Sequence, residues 1–495
     1  MNLSKSKYVQ GIRCSKLMWL SVYKKEEAIE NNDSILEKGT EVGETARGIF
    51  GNYKLVEYNI DKQKMVDETN KYLADKPNII CEASFIYDNN YCAVDILKND
   101  KDGVEIYEVK SSGKINKSYI VDVSYQTWIL KQLGFNVKKS CLVHINSGYI
   151  KQGNLDLNEL FIIEDVTDEL LEVDSDKVKE LQDILNSKEE PDTDLSVDCM
   201  KNKNCSYECP FFKYCTRNLP TPNVFDVGWG AHFDKKLELY YQNKITFEDV
   251  LAEGTFITNK QATEQLEFTI HNSKPKIDKE NIKEFLDTIT YPLYFLDFES
   301  YQSPIPKIDG TRPNQQICFQ YSLDYYLEEN GKLYHKEYLS EEYDGDPMYG
   351  LCKQLCEDIP KDTCVIVYNQ TFEKTRLKEM ASIYPEFKDH LLNIDNNIVD
   401  LYPTFRYHDY YQKEMEGSAS IKQVLPALFP NDPELDYYKL NQVHKGDEAS
   451  AAYLSLKGLN QQEQQELRKN MLKYCGLDTL AMVKIYDLLK ETIEK

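Results

Sequence analysis

The chain has 495 residues, with 83 acidic and 59 basic side chains and a net charge of -24. This balance argues against indiscriminate coating of nucleic acid, although an acidic protein can still contain a local basic channel. The sequence has no apolar run of membrane-spanning length, and MNLSKSKYVQGIRCSKLMWL lacks the hydrophobic region of a signal peptide. We therefore expect a cytoplasmic protein with no membrane partner, reduced cysteines and two or three domains.

The first part of the chain mixes helical and strand patterns. EKGTEVGETARGIF predicts a helix, and ASFIYDNNYCAVDILKN and GVEIYEVKSS predict a β-meander interrupted by turn residues. VDVSYQTWILKQLGF predicts a helix that ends near Gly134, and SCLVHIN predicts a further strand. These patterns predict an α/β domain over residues 1–220.

A second α/β pattern follows a break in the chain. The prolines of NLPTPNVFD indicate a domain boundary, and KKLELYYQNK and NIKEFLDTIT predict a helical connector over residues 221–288. From YPLYFLDFES we expect a further domain over residues 289–495. Its predicted elements are an apolar strand, a hairpin with the turn EENGK, a helix, the strand CVIVYN and then mainly helices.

A first group of candidate site residues lies on the meander. Asp95 occurs in CAVDIL, and Glu108 and Lys110 occur in YEVK, where the strand period puts both side chains on one face. Two carboxylates at one sheet edge can hold a divalent ion, and a lysine can orient water or neutralise phosphate charge. Glu41 and Glu44 share a helix face and would complete the site. The alternative is an exposed ion pair of little energetic value.

This order of residues resembles the PD-(D/E)XK nuclease superfamily, and specifically its RecB-like branch. The resemblance covers about residues 1–215 and implies a nuclease that uses Mg²⁺ or Mn²⁺. The site residues that it implies are the metal ligands Glu44, Asp95 and Glu108 and the catalytic residues Lys110 and Gln126, the last of these in YQTWIL. The sequence departs from this family at Gly43, where RecB-like enzymes often have a histidine near the first ligand.

A tight cluster of cysteines lies in DCMKNKNCSYECPFFKYC. In a reducing compartment such a cluster indicates a metal rather than disulfides. The distribution resembles that of RecB-like iron–sulfur nucleases, relatives of the exonucleases of CRISPR adaptation and bacterial recombination. The ligands that this resemblance implies for a 4Fe–4S cluster are Cys14, Cys205, Cys209 and Cys215, with Cys199 as a substitute ligand. Zinc is the rival metal, and we expect the other cysteines to be free.

A second group of candidate site residues lies in the C-terminal half. Asp297 and Glu299 obey the strand period in YFLDFES, and Tyr474 and Asp478 share a face of the helix predicted for MLKYCGLDTLAM. Glu373 lies in VIVYNQTFEKTRL, where a strand gives way to a helix. Converging carboxylates are what a two-metal phosphodiester cleavage site needs. The alternative is a set of solvated carboxylates with a tyrosine packed in the core.

This second group resembles the DEDD exonuclease superfamily, which has a ribonuclease H-like fold. The roles that the resemblance implies are metal ligation by Asp297, Glu299, Glu373 and Asp478 and orientation of water by Tyr474. Glu373 stands where most DEDD enzymes have aspartate, and Asp400 in NIVDLYPTF is an alternative for that corner. ASIKQVLPALFP resembles the helix that precedes the last motif in these exonucleases.

Both resemblances together cover nearly the whole chain. The two halves of the chain together resemble a bacterial fusion family with a PD-(D/E)XK restriction-endonuclease-like domain, a helical connector and a ribonuclease H-like α/β domain. The resemblance implies a metal-dependent DNA exonuclease with two active sites, acting in DNA repair, recombination or defence. The alternative is a nucleic-acid-binding or scaffold protein with one active nuclease domain or none.

Overall fold

The protein is a mixed α/β chain, and about half of it is helical. A computed structural model describes residues 1–29, 33–201, 208–228, 232–254, 259–343, 345–435 and 443–494. Unit 1 contains Met1–Leu219 and Ser303–Asn314, and unit 2 contains Pro220–Gln302 and Gln315–Lys495. The segment predicted as a connector therefore lies in unit 2. Within the described ranges, no helix is both long and apolar enough to cross a membrane.

Unit 1 contains a seven-stranded mixed sheet. Its strands are β1 (Leu3–Ser4), β2 (Lys54–Leu55), β3 (Ile79–Tyr87), β4 (Asn90–Asp100), β5 (Gly103–Lys110), β6 (Val137–Ile145) and β7 (Phe161–Asp165). The order along the sheet is β2-β3-β4-β5-β6-β7, and β1 pairs with β4. The antiparallel β3, β4 and β5 are the predicted meander, which is confirmed, whereas β5 and β6 are parallel.

Helices cover both faces of this sheet. The helices of unit 1 are α1 (Lys5–Arg13), α2 (Ser15–Tyr23), α3 (Asp33–Ala46), α4 (Lys62–Asp75), α5 (Lys117–Gln132), α6 (Leu157–Leu160), α7 (Ser175–Asn186) and α8 (Phe212–Thr216). Parallel strands need a crossover connection, and α5 supplies it between β5 and β6. This helix ends just before Gly134, as predicted, where a positive φ of 86° suits glycine.

The alternation of buried side chains shows which way the site residues of β5 point. Ile106 belongs to a core cluster with Val123 and Ile129 of α5, whereas Tyr107 belongs to a second cluster with Val42 of α3. Successive side chains of a strand point to opposite faces. Glu108 and Lys110 therefore lie on the face of the sheet that α5 covers.

Unit 2 contains a five-stranded mixed sheet and a two-stranded one. Its strands are β8 (Lys276–Ile277), β9 (Leu293–Gln302), β10 (Gln316–Tyr326), β11 (Leu333–Leu339), β12 (Cys364–Val367), β13 (Ile398–Asp400) and β14 (Tyr410–Tyr411). The larger sheet has the order β11-β10-β9-β12-β13, with β9 antiparallel to β10 and parallel to β12. The predicted hairpin of β10 and β11 is confirmed.

The helices of unit 2 include a long C-terminal one. They are α9 (Phe233–Tyr241), α10 (Phe247–Ala252), α11 (Lys260–Ile270), α12 (Lys279–Leu286), α13 (Pro347–Asp358), α14 (Thr371–Ile383), α15 (Lys388–Asn396), α16 (Tyr402–Arg406), α17 (Ile421–Leu428), α18 (Gly446–Ser455) and α19 (Gln461–Glu494). Phe295 of the central strand β9 shares a core cluster with Met482 and Ile485 of α19. This packing holds the long helix against the middle of the sheet.

Candidate functional site

The carboxylates of the second predicted group come together in unit 2. Asp297 and Glu299 are two residues apart on β9, Glu373 lies in the first turn of α14, and Asp478 lies on α19. The charges of Asp478, Glu299 and Glu373 all act on the carboxyl group of Asp297. The structure therefore brings Glu373 and Asp478, which are distant in the sequence, within electrostatic reach of Asp297 beside Glu299.

Burial and mutual repulsion make this cluster resist ionisation. Burial, followed by the neighbouring charges, raises the pKa of Asp297 well above its ordinary value. Burial and then Asp478 raise the pKa of Glu299 to about 8. Burial and the charge of Asp400 also raise the pKa of Glu373 to about 8. Because buried like charges are costly, bound cations would stabilise the ionised cluster.

One oxygen of Glu373 has no hydrogen-bond partner in the part of the chain that the structure describes. Glu373 is only 3% exposed, and its Oε2 makes no hydrogen bond within the described part of the chain. Buried polar atoms in proteins almost always have a partner, so this atom points to an additional ligand. Asp400, the alternative for this corner, instead accepts backbone N–H groups of Asn369 at 2.8 Å and Gln370 at 3.1 Å. It therefore holds the turn that leads into α14.

Tyr474 and Cys475 of α19 line the same cluster. Tyr474 is buried, and burial together with Asp478, Glu299 and Asp297 raises the pKa of its phenol, so the hydroxyl keeps its proton. The Cys475 thiol donates to Asp297 Oδ2 at 3.7 Å. Ligand atoms of Asp297, Glu299 and Cys475 all lie within 4.8 Å of one another. Sequence reasoning missed Cys475, although it lies between two motif residues on one helix.

Burial and repulsion in this cluster predict a pH-dependent stability. The pKa of Glu299 is about 8 in the folded chain against an ordinary 4.5, so the folded state holds a proton that the unfolded state releases. Stability is therefore retained below pH 4.5 and lost as the pH rises through about 8. Without divalent ions, we expect Glu299→Gln to have the stability of the wild type below pH 4.5 and a higher stability than the wild type above about pH 8. The measurement is thermal unfolding in the presence of a chelator.

The control for this prediction is Glu280→Gln, the same substitution at an exposed position of α12. It should follow the wild-type curve at every pH. Added Mn²⁺ should stabilise the wild type at high pH and stabilise Glu299→Gln much less. Identical unfolding curves for Glu299→Gln and wild type over the whole range would contradict the prediction.

The residues of the first predicted group also contact one another, in unit 1. Lys110 Nζ lies 2.8 Å from Glu108 Oε1, and Gln126 Nε2 donates to Glu108 Oε2 at 2.7 Å. The backbone N–H of Val109 donates to Asp95 Oδ2 at 2.7 Å. Since the side chain of Glu108 is only 2% exposed, the alternative of an exposed ion pair is wrong.

Two residues of this group were not anticipated. Asp122 of α5 binds Lys110 Nζ at 2.6 Å and accepts from Gln126 Nε2 at 3.0 Å. Lys5, the first residue of α1, donates to both oxygens of Glu108 at 2.9 Å and to Asp95 Oδ1 at 3.2 Å. The sequence signal for Asp122 was its position four residues before Gln126 on one helix face. The sequence holds no comparable signal for Lys5.

The structure does not bring Glu44 into this group. Glu44 is exposed on α3. The carboxylate oxygens of Glu44, Asp95 and Glu108 do not all lie within 4.8 Å of one another. Val42 and Ala46, one helical turn apart, are the buried residues of this part of α3. Because Glu44 lies halfway between them in sequence, it emerges on the opposite side of the helix. Glu41 contacts Lys307 at 3.4 Å.

Four cysteines of unit 1 line one small cavity. They are Cys14, Cys199, Cys209 and Cys215. The Sγ atoms of Cys14 and Cys199 accept the backbone N–H groups of Leu17 and Ser196 at 3.4 and 3.3 Å. Burial raises the pKa of Cys209 and of Cys215 to about 11. Cys205, the ligand implied by resemblance, lies outside the described residues, and Cys199 is at the cavity.

The spacing of these sulfur atoms bears on the metal. No three of the four described cysteines have all their Sγ atoms within 4.8 Å of one another. A tetrahedral zinc ion with Zn–S bonds of about 2.3 Å holds sulfurs about 3.8 Å apart. A four-iron cluster spaces its cysteine sulfurs more widely, because the iron–sulfide cube lies between them. The described thiols are therefore spaced more widely than the ligands of a bound zinc ion.

Comparison with known proteins gives a partial match. A family model described as "Domain of unknown function (DUF2779)" matches residues 294–420. This range contains Asp297, Glu299 and Glu373, whereas Tyr474 and Asp478 lie beyond it. No solved structure matches the chain.

Three curated relatives come from mycoplasmas and a ureaplasma. The uncharacterized protein MG366 of Mycoplasma genitalium is 29% identical over 218 residues, covering 41% of this chain and 32% of that protein. Its Mycoplasma pneumoniae homolog is 28% identical over 291 residues, covering 53% and 43%. The uncharacterized protein UU173 of Ureaplasma parvum is 25% identical over 244 residues, covering 45% and 35%. The chain spans less than half the length of the curated relatives that it matches.

Proposed function

We propose that the protein is a metal-dependent nuclease with two active sites, one in each unit, and with DNA as its expected substrate. The observation that carries this proposal is the convergence of Glu299, Glu373 and Asp478 on Asp297, with Glu373 Oε2 buried and without a hydrogen-bond partner among the described residues. Carboxylate oxygens suit Mg²⁺ and Mn²⁺. The PD-(D/E)XK-like and ribonuclease H-like folds and a role in repair, recombination or defence belong to the same proposal.

In unit 2, the carboxylates would hold the ions and the tyrosine would orient the water. Bound divalent ions would supply activation of water and stabilisation of charge on the phosphate. Asp297 and Glu299 lie on a central strand, so the positions of their oxygens are fixed by the sheet. Tyr474 keeps its proton and can donate a hydrogen bond to a water molecule near Asp478. The donor set is hard except for the thiol of Cys475.

In unit 1, Asp95 and Glu108 would bind the ion and Lys110 would face the phosphate. Asp122 fixes the ammonium group of Lys110 at 2.6 Å, and the pKa of Lys110 is raised because Asp122 and Glu108 outweigh the effect of burial. The charge on Lys110 is therefore permanent. Gln126 is fully buried, and its Oε1 has no partner within the described ranges. This oxygen can accept a hydrogen bond from an attacking water.

A cleavage assay on the full chain tests the proposal. Labelled single- and double-stranded DNA and RNA are incubated with the protein and Mg²⁺ or Mn²⁺, with a chelator as the control. We expect metal-dependent cleavage of DNA and none in the chelator. Binding of nucleic acid without cleavage under any of these conditions would contradict the proposal.

A second candidate function is a nuclease in which only unit 2 cuts and unit 1 binds nucleic acid. The observation that favours it is Lys5, whose ammonium group lies between Asp95 and Glu108, the two carboxylates that would bind metal. Separate Glu108→Ala and Asp297→Ala variants decide between the two functions. Under the second candidate, Glu108→Ala cleaves as fast as wild type and Asp297→Ala is inactive.

We also propose that unit 1 binds a 4Fe–4S cluster through Cys14, Cys199, Cys209 and Cys215. The support is the shared cavity, the spacing of the sulfurs and two backbone N–H groups that donate to them. Backbone N–H donors stabilise thiolates and cluster sulfur. A position at the start of a helix does the same, and Cys14 is the N-cap of α2. The cluster would join the N-terminal helices to the chain near residue 210.

Replacement of one cavity cysteine should remove the cluster. We expect Cys199→Ser to lose most of the bound iron and acid-labile sulfide and to unfold at a lower temperature, because cluster binding contributes to folding. The control is Cys81→Ser, a buried cysteine of β3 away from the cavity. Iron retained by Cys199→Ser but lost by Cys205→Ser would support the ligand set implied by resemblance instead. A colourless wild type with one zinc ion would contradict both sets.

A further inference from the structure

Lys5 lies where a divalent cation would bind in unit 1. Its ammonium group donates to Asp95 and to both oxygens of Glu108, at 2.9 to 3.2 Å. Among the described residues, Lys5 is the only one that forms an ion pair with both of these carboxylates. Lys110 also pairs with Glu108, but its second partner is Asp122. Any metal ion bound between Asp95 and Glu108 therefore has to displace this ammonium group.

The charges of the site balance with a divalent ion, whereas one negative charge remains when Lys5 occupies the site. Asp95, Glu108 and Asp122 carry three negative charges, and Lys5 and Lys110 carry two positive ones. With Lys5 withdrawn, two negative charges remain uncompensated, which is the charge that one divalent ion neutralises. Oε1 of Gln126 is buried beside Glu108 and accepts no hydrogen bond from any described residue, which indicates that the site is built for a further ligand.

Lys5 can move without disturbing the fold around it. Its backbone is anchored, because Leu3 is buried and pairs with Asn90, and Ser4 caps α1 by accepting the N–H of Lys7. The side chain is 19% exposed and that of Asp95 is 23% exposed, so the pair faces solvent on one side. Four rotatable bonds let a lysine ammonium swing while its Cα stays in place.

We propose that Lys5 competes with the divalent ion for Asp95 and Glu108, and that nucleic-acid phosphate, by drawing Lys5 away, promotes metal binding at the first site. The inference rests on the proposed metal role of Asp95 and Glu108. A phosphate group is a natural second partner for an ammonium group. By linkage, a substrate that binds the released Lys5 raises the metal affinity, and the metal raises the substrate affinity equally.

The test is a titration of the full chain with Mn²⁺, read by calorimetry and by the electron paramagnetic resonance of free Mn²⁺. All variants carry Asp297→Asn, which silences the site of unit 2. We expect Lys5→Met to bind Mn²⁺ at the first site about tenfold more tightly or better, since a unit positive charge is removed from beside the ion. Lys5→Arg should keep the weak wild-type affinity. The control is Lys7→Met on the same helix, whose ammonium contacts Gln10 and Ser21 instead.

The second arm uses a short single-stranded DNA with uncleavable phosphorothioate linkages. This DNA should tighten Mn²⁺ binding considerably more with Lys5 present than in Lys5→Met, where no ammonium group has to be displaced. Equal Mn²⁺ affinities of Lys5→Met and of the parent chain with Lys5, both shown to be folded by circular dichroism, would overturn the inference. The proposed metal role of Asp95 and Glu108 would be unaffected by that result. A site that survives Glu108→Gln would overturn the metal role of Glu108 together with the inference. Lys5→Gln serves if Lys5→Met does not fold.

Discussion

Asp297→Asn is expected to lower metal-dependent cleavage by unit 2 about a thousandfold, the loss that removal of several kcal/mol of metal-based stabilisation implies. Asp297 is the point at which the cluster meets, because the charges of Asp478, Glu299 and Glu373 all act on it. An amide of the same shape cannot hold a divalent ion as a carboxylate does. The measurement is the initial rate of DNA cleavage in Mg²⁺, with Glu108→Gln in every chain so that the first site is silent.

The fold should survive this substitution. Burial and neighbouring charges already hold the pKa of Asp297 well above its ordinary value, so the neutral amide relieves repulsion in the metal-free protein. We expect an unfolding temperature no lower than that of the parent in a chelator. The matched control is Asp287→Asn, the same change at an exposed residue paired with Lys283. Full cleavage by Asp297→Asn would remove the metal centre of unit 2 from the proposal.

Local periodicity was sufficient to predict the pairs of site residues that lie on one element. The strand period placed Glu108 with Lys110 and Asp297 with Glu299, and the helical period placed Tyr474 with Asp478. These periods are fixed by backbone geometry, so a single element determines them. Strand patterns separated by turn residues likewise predicted the meander of unit 1 and the hairpin of unit 2.

Rotation of an element and contacts between distant segments were not predictable in this way. The helix that carries Glu44 was predicted, but the burial of Val42 and Ala46 decides which face it turns to the sheet. Lys5 reaches its place because Leu3 pairs with Asn90, a long-range contact that no local pattern indicates. Ser303–Asn314 likewise groups with unit 1 although it follows a strand of unit 2.

The structure also changes what is expected of Lys110→Ala. A purely catalytic role of Lys110, as the family resemblance implies, would mean that this substitution abolishes the first activity and leaves folding intact. In the structure, however, Lys110 bonds to Glu108 and Asp122, whose side chains are 2% and 11% exposed. Removing one partner of a buried ion pair leaves uncompensated charge, and we expect a loss of about 3 kcal/mol, the low end for such pairs because Lys5 still neutralises Glu108.

Lys110→Ala should therefore lose both cleavage by unit 1 and stability, and a second substitution separates the two effects. Adding Asp122→Asn removes the charge that was left unpaired, so Lys110→Ala/Asp122→Asn should recover much of the stability and none of the cleavage. Stability is measured by chemical unfolding followed by tryptophan fluorescence, because Trp19 and Trp128 lie in unit 1. Cleavage is measured with Asp297→Asn in every chain. If the double variant recovers cleavage together with stability, Lys110 only maintains the fold. If it recovers stability and still does not cleave, the ammonium group of Lys110 takes part in the chemistry.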